Sequence, residues 1–424
     1  MEKRARIIMV GVLLLAGLLP GPGCAPQDKG QDQAGADVKA DAAQAKRLTR
    51  NRFKASEDDC VGPVVKSGKP KTISIGDHQF VRDGYLLRQV DRDPDKQITL
   101  GLISDSKENT ELNRKNLEKI LDFFREKKVE AIIHLGDVAS VMTLPDEEEI
   151  DVPAQGPDGK PLSKSAAEHF RRKVIAKARR QAMTRSIQDI VEMLTVLAES
   201  DLPLFVIIGN RECKSTFNTA LSTLAEDFPN VFNLDFIRRA DLDDVDIISQ
   251  PGYHDPEYVH CRWDKCLYYA SDTLALVDLA NEATDTALLV SHGPPRQKDR
   301  NGIDVVSEGA NVGCPWLTSA ITKGAIKFGA FGNIQEAGGK ATNLDGTEIV
   351  PQDTFVDSFY LNPGPADSMA WSMNDGTESH GMAAVVQIVG KKAKYTIYRV
   401  GQSPAGGNTP APSAPAATEK PPAP

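Results

Sequence analysis

The sequence has little of what nucleic-acid-binding and membrane-spanning proteins need. Lys and Arg total 50 against 59 Asp and Glu, so the net charge of −9 has the wrong sign for binding a phosphate backbone. No basic patch stands out, no repeat of fixed period is found, and the N-terminal apolar run from Ile7 to Leu19 is too short to span a bilayer. We therefore expect no nucleic-acid partner.

The N terminus has the form of an export signal. Lys3, Arg4 and Arg6 precede the apolar run, and small residues follow it before Cys24. Residues 1–24 resemble a bacterial lipoprotein signal, in which the cysteine becomes the lipidated first residue. Gly21 stands where that pattern prefers Leu, which leaves simple cleavage as the alternative. The two residues after the cysteine lack the aspartate that retains such proteins in the inner membrane. We predict an exported protein, either an outer membrane lipoprotein attached through lipid at Cys24 only, or a periplasmic protein.

Five cysteines remain after this signal, so one of them is free or paired outside the chain. They are Cys60, Cys213, Cys261, Cys266 and Cys314. Export allows disulfides among them. In the stretch HCRWDKC, Cys261 and Cys266 could form a disulfide, remain thiols, or hold zinc with His254 and His260. We favour an interpretation without zinc, because zinc sites with cysteine pairs usually have tighter and repeated spacing.

Composition divides the chain into a folded domain and its flanks. Residues 25–59 are mostly Gln, Asp, Ala and Lys, as in a flexible tether. Residues 402–424 are rich in Pro and Ala and are equally unable to form a core. The folded domain is therefore predicted at residues 60–401. An acidic stretch rich in Gly and Pro predicts a surface insertion at about 141–165.

Five short apolar runs each end in a polar residue, which indicates buried strands bounded by turns. The residues that end them are Asp105, Asp137, Asn210, His292 and Asn333. Helical spacing separates the first three runs, at Leu117, Ile120, Leu121 and Phe124 and again at Ile187, Ile190, Val191 and Leu194. Alternating strands and helices predict a sheet that is parallel at its centre and covered on both faces. Polar residues at the carboxyl ends of such strands are where these sheets bind ligands.

After Asn333 the patterns indicate strands only, in TFVDSFYLNPG, MAAVVQIVG and AKYTIYRVG. A single parallel sheet does not accommodate both halves of this pattern. We predict an α/β fold, a two-sheet sandwich of four layers in the order α/β/β/α, with the helices outside.

The strand-end blocks have a recognisable order. SDSKE, LGDVAS, IIGNRE, VSHGPP and FGNIQEAGG, followed by YLNPGP, resemble the motifs of the calcineurin-like metallophosphoesterase family over about residues 98–400. In that family the motifs are D-x-H, G-D-x-x-(D or N), G-N-H-(E or D), an isolated H, and G-H-x-H. They hold two divalent ions bridged by a carboxylate, which generate a hydroxide and clamp the phosphate oxygens. The resemblance implies the sandwich fold and a site at the strand ends.

Four of the implied metal ligands are present. By resemblance, Asp105 would hold the first metal and Asp137 would bridge the two ions. Asn210 and His292 would hold the second metal.

Four other positions depart from the family pattern. Lys107 replaces the first-motif histidine and Arg211 replaces the catalytic histidine that assists the leaving group. Asn333 and Gln335 replace the last two ligands. Charged Lys and Arg offer no lone pair to a metal. We therefore expect no first metal, and at most one divalent ion, Mn, Mg, Ca or Fe, to which the Asn333 amide oxygen would be a further ligand.

Two functions of different class follow from these substitutions. In the first, the protein is a pseudoenzyme in which Lys107 and Arg211 stand in for the cations and neutralise Asp105 and Asp137. Its pocket would bind a phosphate-containing ligand or a protein partner. In the alternative, it is a phosphoester hydrolase, a phosphatase or phosphodiesterase, that uses one or an atypical divalent metal. We favour the first, because water activation without two metals loses most of the charge stabilisation of phosphoryl transfer.

Overall fold

A computed structural model describes residues 60–139, 150–155 and 160–401. The predicted signal with Cys24, the tether, the tail and much of the predicted insertion lie outside these described residues. Within them, no helix combines the length and the apolar character needed to cross a membrane.

The described chain forms strands and helices in the alternating order that the sequence predicts. The strands are β1 (Lys71–Ile75), β2 (His78–Asp83), β3 (Leu86–Gln89), β4 (Gln97–Ile103), β5 (Ala131–His134), β6 (Leu204–Val206), β7 (Val231–Asn233), β8 (Arg239–Leu242), β9 (Val245–Gln250), β10 (Thr286–Ser291), β11 (Phe328–Phe331), β12 (Lys340–Thr342), β13 (Ile349–Val350), β14 (Phe359–Asn362), β15 (Trp371–Ser372), β16 (Glu378–Ser379), β17 (Met382–Val389) and β18 (Lys392–Arg399). The helices are α1 (Glu111–Glu126), α2 (Lys164–Ala198), α3 (Lys214–Asp227), α4 (Ala270–Glu282) and α5 (Pro315–Lys323).

Two large sheets carry the domain. The six-stranded sheet has the order β18-β17-β4-β5-β6-β7, with β4 to β7 parallel and β17 and β18 added antiparallel at the edge. The ten-stranded sheet has the order β1-β2-β3-β8-β9-β10-β11-β14-β12-β13, and its strands β9, β10, β11 and β14 are parallel. Parallel neighbours require crossover connections, and the helices supply most of them. Strands β15 and β16 form a separate small ribbon.

Three apolar clusters show how these layers stack. The largest lies between the two sheets and combines β4, β5 and β6 residues with β9, β10 and β11 residues. A second cluster joins the outer face of the six-stranded sheet to α1, α2 and α3. The third joins the ten-stranded sheet to α4 and α5. The four-layer α/β/β/α sandwich with helices outside is therefore confirmed.

Helix α1 follows its sequence pattern closely, whereas α2 does not. Thr110 caps α1 by accepting a hydrogen bond from the Asn113 N–H, and the predicted apolar face is buried. Helix α2 buries Ile190 and Leu194 of the predicted face and leaves Ile187 and Val191 half-buried. It already begins at Lys164, well before any apolar periodicity. The sequence pattern therefore indicated only the packed half of this helix.

The cysteines pair differently from either arrangement considered for the HCRWDKC stretch. Cys60 is bonded to Cys266, and Cys213 to Cys261. Cys314 is a buried free cysteine. The possible disulfide between Cys261 and Cys266 does not form, because the fold brings each close to a cysteine distant in sequence. Sulfurs in disulfides are not thiolates, so the alternative zinc site is excluded as well.

Candidate functional site

The five residues that end the apolar runs all follow parallel strands. Asp105, Asp137 and Asn210 follow β4, β5 and β6 of the six-stranded sheet, while His292 and Asn333 follow β10 and β11 of the ten-stranded sheet. Ligand atoms of Asp105, Asp137 and His292 all lie within 4.8 Å of one another. The carboxyl ends of both sheets therefore meet at one buried site.

The backbone at this site is held in an unusual conformation. Asp105, Lys107, Asp137 and Asn333 have positive φ angles of 54°, 57°, 55° and 63°. Such angles cost roughly 1–3 kcal/mol each for residues other than glycine and cluster at functional sites. A side chain at Gly209 would collide with the Asp137 carboxylate, so this glycine is required for the close approach of the two loops.

Both carboxylate oxygens of Asp105 accept hydrogen bonds from the protein. Oδ2 accepts from the Ser104 hydroxyl at 2.6 Å and from the Asn333 backbone N–H at 2.9 Å. Oδ1 accepts from the side-chain amide of Gln335. Burial alone would raise the pKa of Asp105, but His292, Lys107 and these donors outweigh it and hold the pKa below its ordinary value. The nearby charges and the hydrogen-bond donors thus stabilise Asp105 in its ionised form.

His292 is the closest cationic partner of Asp137. Its Nδ1–H donates to the Leu135 carbonyl at 2.7 Å. Its Nε2 therefore faces Asp137 Oδ1 at 3.3 Å and Asn210 Oδ1 at 3.3 Å. Burial alone would lower the pKa of His292, but Asp137 and Asp105 outweigh it and raise the pKa. The second Asp137 contact is the Arg211 backbone N–H, which donates to Oδ1 at 3.0 Å.

We expected Lys107 and Arg211 to neutralise the two carboxylates directly. The structure places both charged groups elsewhere. The buried Lys107 ammonium lies over the Trp371 ring, 4.0 Å from its centroid, and not against either carboxylate. Arg211 reaches Asp137 through its backbone, while its guanidinium Nε is buried without a hydrogen-bond partner. Burial raises the pKa of Asp137, and His292, Arg211 and Lys107 oppose this rise through space without cancelling it. The counterion in contact with Asp137 is His292.

Sequence analysis missed several residues that complete the site. The Trp371 Nε1–H donates to Asp367 at 3.0 Å, and burial raises the pKa of Asp367 to about 6. The Asn333 side-chain amide donates to the Tyr253 hydroxyl at 2.7 Å. The Glu212 carboxylate accepts the Gly209 N–H at 3.0 Å, and burial raises the pKa of Glu212 to about 7. Only Glu212 had a sequence signal, since it ends the block IIGNRE.

The residues present fit one divalent ion better than two. At the first position, donors from Ser104, Asn333 and Gln335 already use both oxygens of Asp105. At the second position, Asp137 Oδ1, Asn210 Oδ1 and His292 Nε2 converge. The His292 Nδ1–H bond to a backbone carbonyl is the arrangement that orients a neutral imidazole toward a metal. These residues are thus compatible with a single ion at the second position.

Comparison with family models and with curated protein sequences finds no match. Several solved structures resemble the chain in fold. A dimetal phosphatase from Danio rerio is 11% identical, with 72% of this chain and 99% of that chain covered and a TM-score of 0.36. The structure of PhoD is 10% identical, covering 76% and 75%, with a TM-score of 0.39. A phosphatase from Mycoplasma pneumoniae is 8% identical, covering 72% and 93%, with a TM-score of 0.34. Similarity at this level supports no conclusion about activity.

Proposed function

We propose that this metallophosphoesterase-like protein has lost two-metal hydrolysis and that its pocket binds a phosphate-containing ligand. The observation that carries the proposal is the hydrogen bonding of Asp105, whose two oxygens are both taken by protein donors. A two-metal mechanism needs this carboxylate as a ligand. An ion there would compete with the Gln335 hydrogen bond for Oδ1 and would lie near Lys107.

Anion binding is supported by a buried side-chain donor that lacks a hydrogen-bond partner. The Arg211 Nε is buried without a hydrogen-bond partner, and such an orphan donor in a native protein calls for a ligand or an ordered water. Lys107 and Arg211 both lie near enough to His260 and Asp137 to influence their titration. A phosphate oxygen at Arg211 would satisfy the orphan donor with a charge-assisted hydrogen bond.

The alternative, hydrolysis with one metal, rests on a different observation. Asp137 Oδ1 and Asn210 Oδ1 each lie 3.3 Å from His292 Nε2, so three ligand atoms are close together. An ion held there by these residues would polarise a phosphoryl oxygen. The position of the leaving-group histidine is occupied by Arg211, which remains charged and is therefore a poor general acid.

Phosphatase assays separate the two functions. With p-nitrophenyl phosphate and Mn²⁺, we expect the native protein to show no turnover above that of an Asp137→Asn control. A variant that restores the four family histidines, at positions 107, 211, 333 and 335, should gain chelator-sensitive turnover if only those residues are missing. Turnover by the native protein that EDTA removes would overturn the proposal in favour of the one-metal hydrolase.

Ligand binding is tested by calorimetry with inorganic phosphate. We expect the native protein to bind phosphate and Arg211→Gln to bind it at least tenfold more weakly. Lys214→Gln, three residues away on α3, is the matched control and should bind like the native protein. Absence of phosphate binding, with an intact circular dichroism spectrum, would contradict the anion pocket.

We further propose that the protein is exported and lipidated at Cys24. Two disulfides in the described domain favour an oxidising compartment. Cell fractionation tests lipidation. The Cys24→Ser variant should be lost from the membrane fraction, and its domain should remain folded. Equal membrane recovery of the two proteins would refute lipidation at this residue.

A further inference from the structure

The first 22 residues of α2 differ in charge from the rest of the chain. Residues 164–185 contain eight Lys or Arg and one Glu, a net charge of +7 within a protein of net charge −9. These residues form one contiguous basic run in the sequence, and helix formation arranges them along a rod. This is the basic feature that the overall composition did not reveal.

This part of α2 is not built into the core. The first buried residue of the helix is Ser186, and the residues before it are exposed or half-exposed. Arg179 lies over the Trp263 ring at 4.6 Å and fixes the helix to the loop that follows β9. The segment is therefore an attached helix with a solvent-facing side.

The solvent-facing side carries a row of cations. At 100° per residue, Arg172, Lys173, Lys177 and Arg180 lie within about 140° of the helix circumference. All four are exposed, whereas Ala167, Val174 and Ala178 on the opposite side are half-buried. We name these four residues the basic stripe, which is about 12 Å long at 1.5 Å rise per residue.

The basic stripe has no counterions in the described part of the chain. No ion pair there involves any of its four residues, although neighbouring Arg185 lies 3.9 Å from Asp189. Cations in neighbouring turns of a helix repel one another. An external surface of negative charge would reduce this repulsion.

We propose that the basic stripe binds an anionic phospholipid surface. Lys and Arg side chains are attracted to such a surface, and lipid headgroups can move laterally to meet separate cations. A single-stranded nucleic acid would require aromatic side chains for base stacking, and residues 172–180, which hold the basic stripe, contain none. The remaining chain carries a net negative charge, which disfavours a long polyanion that contacts much of the protein. The stripe would contribute to membrane contact in addition to lipid at Cys24.

Vesicle co-sedimentation of the full chain tests this proposal. Vesicles contain phosphatidylcholine alone or with 30% phosphatidylglycerol, at low and high salt. A variant with all four stripe residues changed to Gln should bind the anionic vesicles at least tenfold more weakly at low salt, and the difference should disappear at high salt. The N-terminal segment is common to all proteins compared, so its contribution cancels.

The matched control removes the same amount of charge elsewhere. It changes four exposed lysines to Gln, at Lys66, Lys69, Lys71 and Lys391. This control should bind the anionic vesicles like the native protein, and all three proteins should have the same far-ultraviolet circular dichroism. Equal binding by the stripe variant, or equal binding of the native protein to neutral vesicles, would overturn the proposal. Stripe-dependent binding to a DNA duplex that exceeds binding to the vesicles would assign the stripe to nucleic acid instead.

Discussion

Asp105 shows which part of a site could be located from sequence and which part could not. Its position at the end of β4 matches a metal ligand, but Gln335 donates to the oxygen that Ser104 and Asn333 leave available. The sequence indicated the location of Asp105 because an apolar run precedes it. Two of its three partners, Asn333 and Gln335, follow a strand of the other sheet more than 200 residues away, and their hydrogen-bond directions could not be read from sequence.

Lys107 is a second case in which residue type was predictable and orientation was not. We expected it to neutralise the two carboxylates, so that Lys107→Met would cost on the order of 3–5 kcal/mol. Because the ammonium instead lies over Trp371, we now expect a loss of about 1–2 kcal/mol in the free energy of unfolding by urea. The Lys127 ammonium lies 5.5 Å from the Phe123 centroid at the surface, so Lys127→Met should lower the free energy of unfolding by less. A loss above 3 kcal/mol for Lys107→Met would show that it is the counterion after all.

Asp235 should make stability depend on pH. It is fully buried, Oδ1 accepts the Ile208 N–H at 3.1 Å, and Oδ2 has no hydrogen-bond partner. Burial raises its pKa from 3.8 to about 8. The folded state therefore favours the protonated form, so the contribution of Asp235 is fully present below about pH 4 and is lost as the pH rises toward 8.

Asp235→Asn removes this titration. Between pH 5 and pH 8 the unfolded state has lost the Asp235 proton while the folded state keeps it. Over this range the free energy of unfolding of the variant, relative to the native protein, should therefore rise by about 1.4 kcal/mol per pH unit. Urea unfolding at several pH values measures it, with exposed Asp227→Asn as the control. Parallel pH profiles for the native protein and Asp235→Asn would show that Asp235 is ionised in the folded state.

At the scale of elements, apolar pattern decided what could be predicted. Strands β4, β5, β10 and β17 are short apolar runs, and α1 has a regular apolar face, so all were identified. Strands β1, β2 and β3 alternate with exposed polar residues at the sheet edge and gave no clear pattern. The N-terminal half of α2 packs against little, so its sequence carries charge and not periodicity.

The disulfides tie elements that are distant in sequence. Cys60 and Cys266 are 206 residues apart, and Cys213 and Cys261 are 48 apart. Changing either pair to serine should lower the free energy of unfolding by about 2–5 kcal/mol. Because closing the longer loop restricts the unfolded chain more, loss of the Cys60 pair should cost about 1 kcal/mol more in the chain-entropy model. Calorimetric melts of the two double variants compare them, and a smaller effect from the Cys60 pair would contradict this ranking.

At the scale of the whole molecule, charge is divided between regions with different roles. The chain is acidic overall, yet the start of α2 is strongly basic and the buried site balances two carboxylates with His292 and nearby cations. Net charge predicted neither feature, because it sums over the whole chain. The basic start of α2 is a local run of sequence, and the charge balance at the site depends on which residues the fold brings together. The two-sheet sandwich was predictable because strands alternate with helices before Asn333 and only strands follow it. Substitution at four strand-end positions was equally visible, but its consequence depends on the three-dimensional site.

We propose that the first metal position no longer binds an ion. Equilibrium dialysis against Mn²⁺, followed by elemental analysis at known protein concentration, measures the ions bound per chain. We predict no more than one equivalent for the native protein and none for His292→Ala, which removes a ligand atom of the remaining position. Restoring histidine at positions 107, 333 and 335 should add a further equivalent. Two equivalents bound by the native protein would contradict the account.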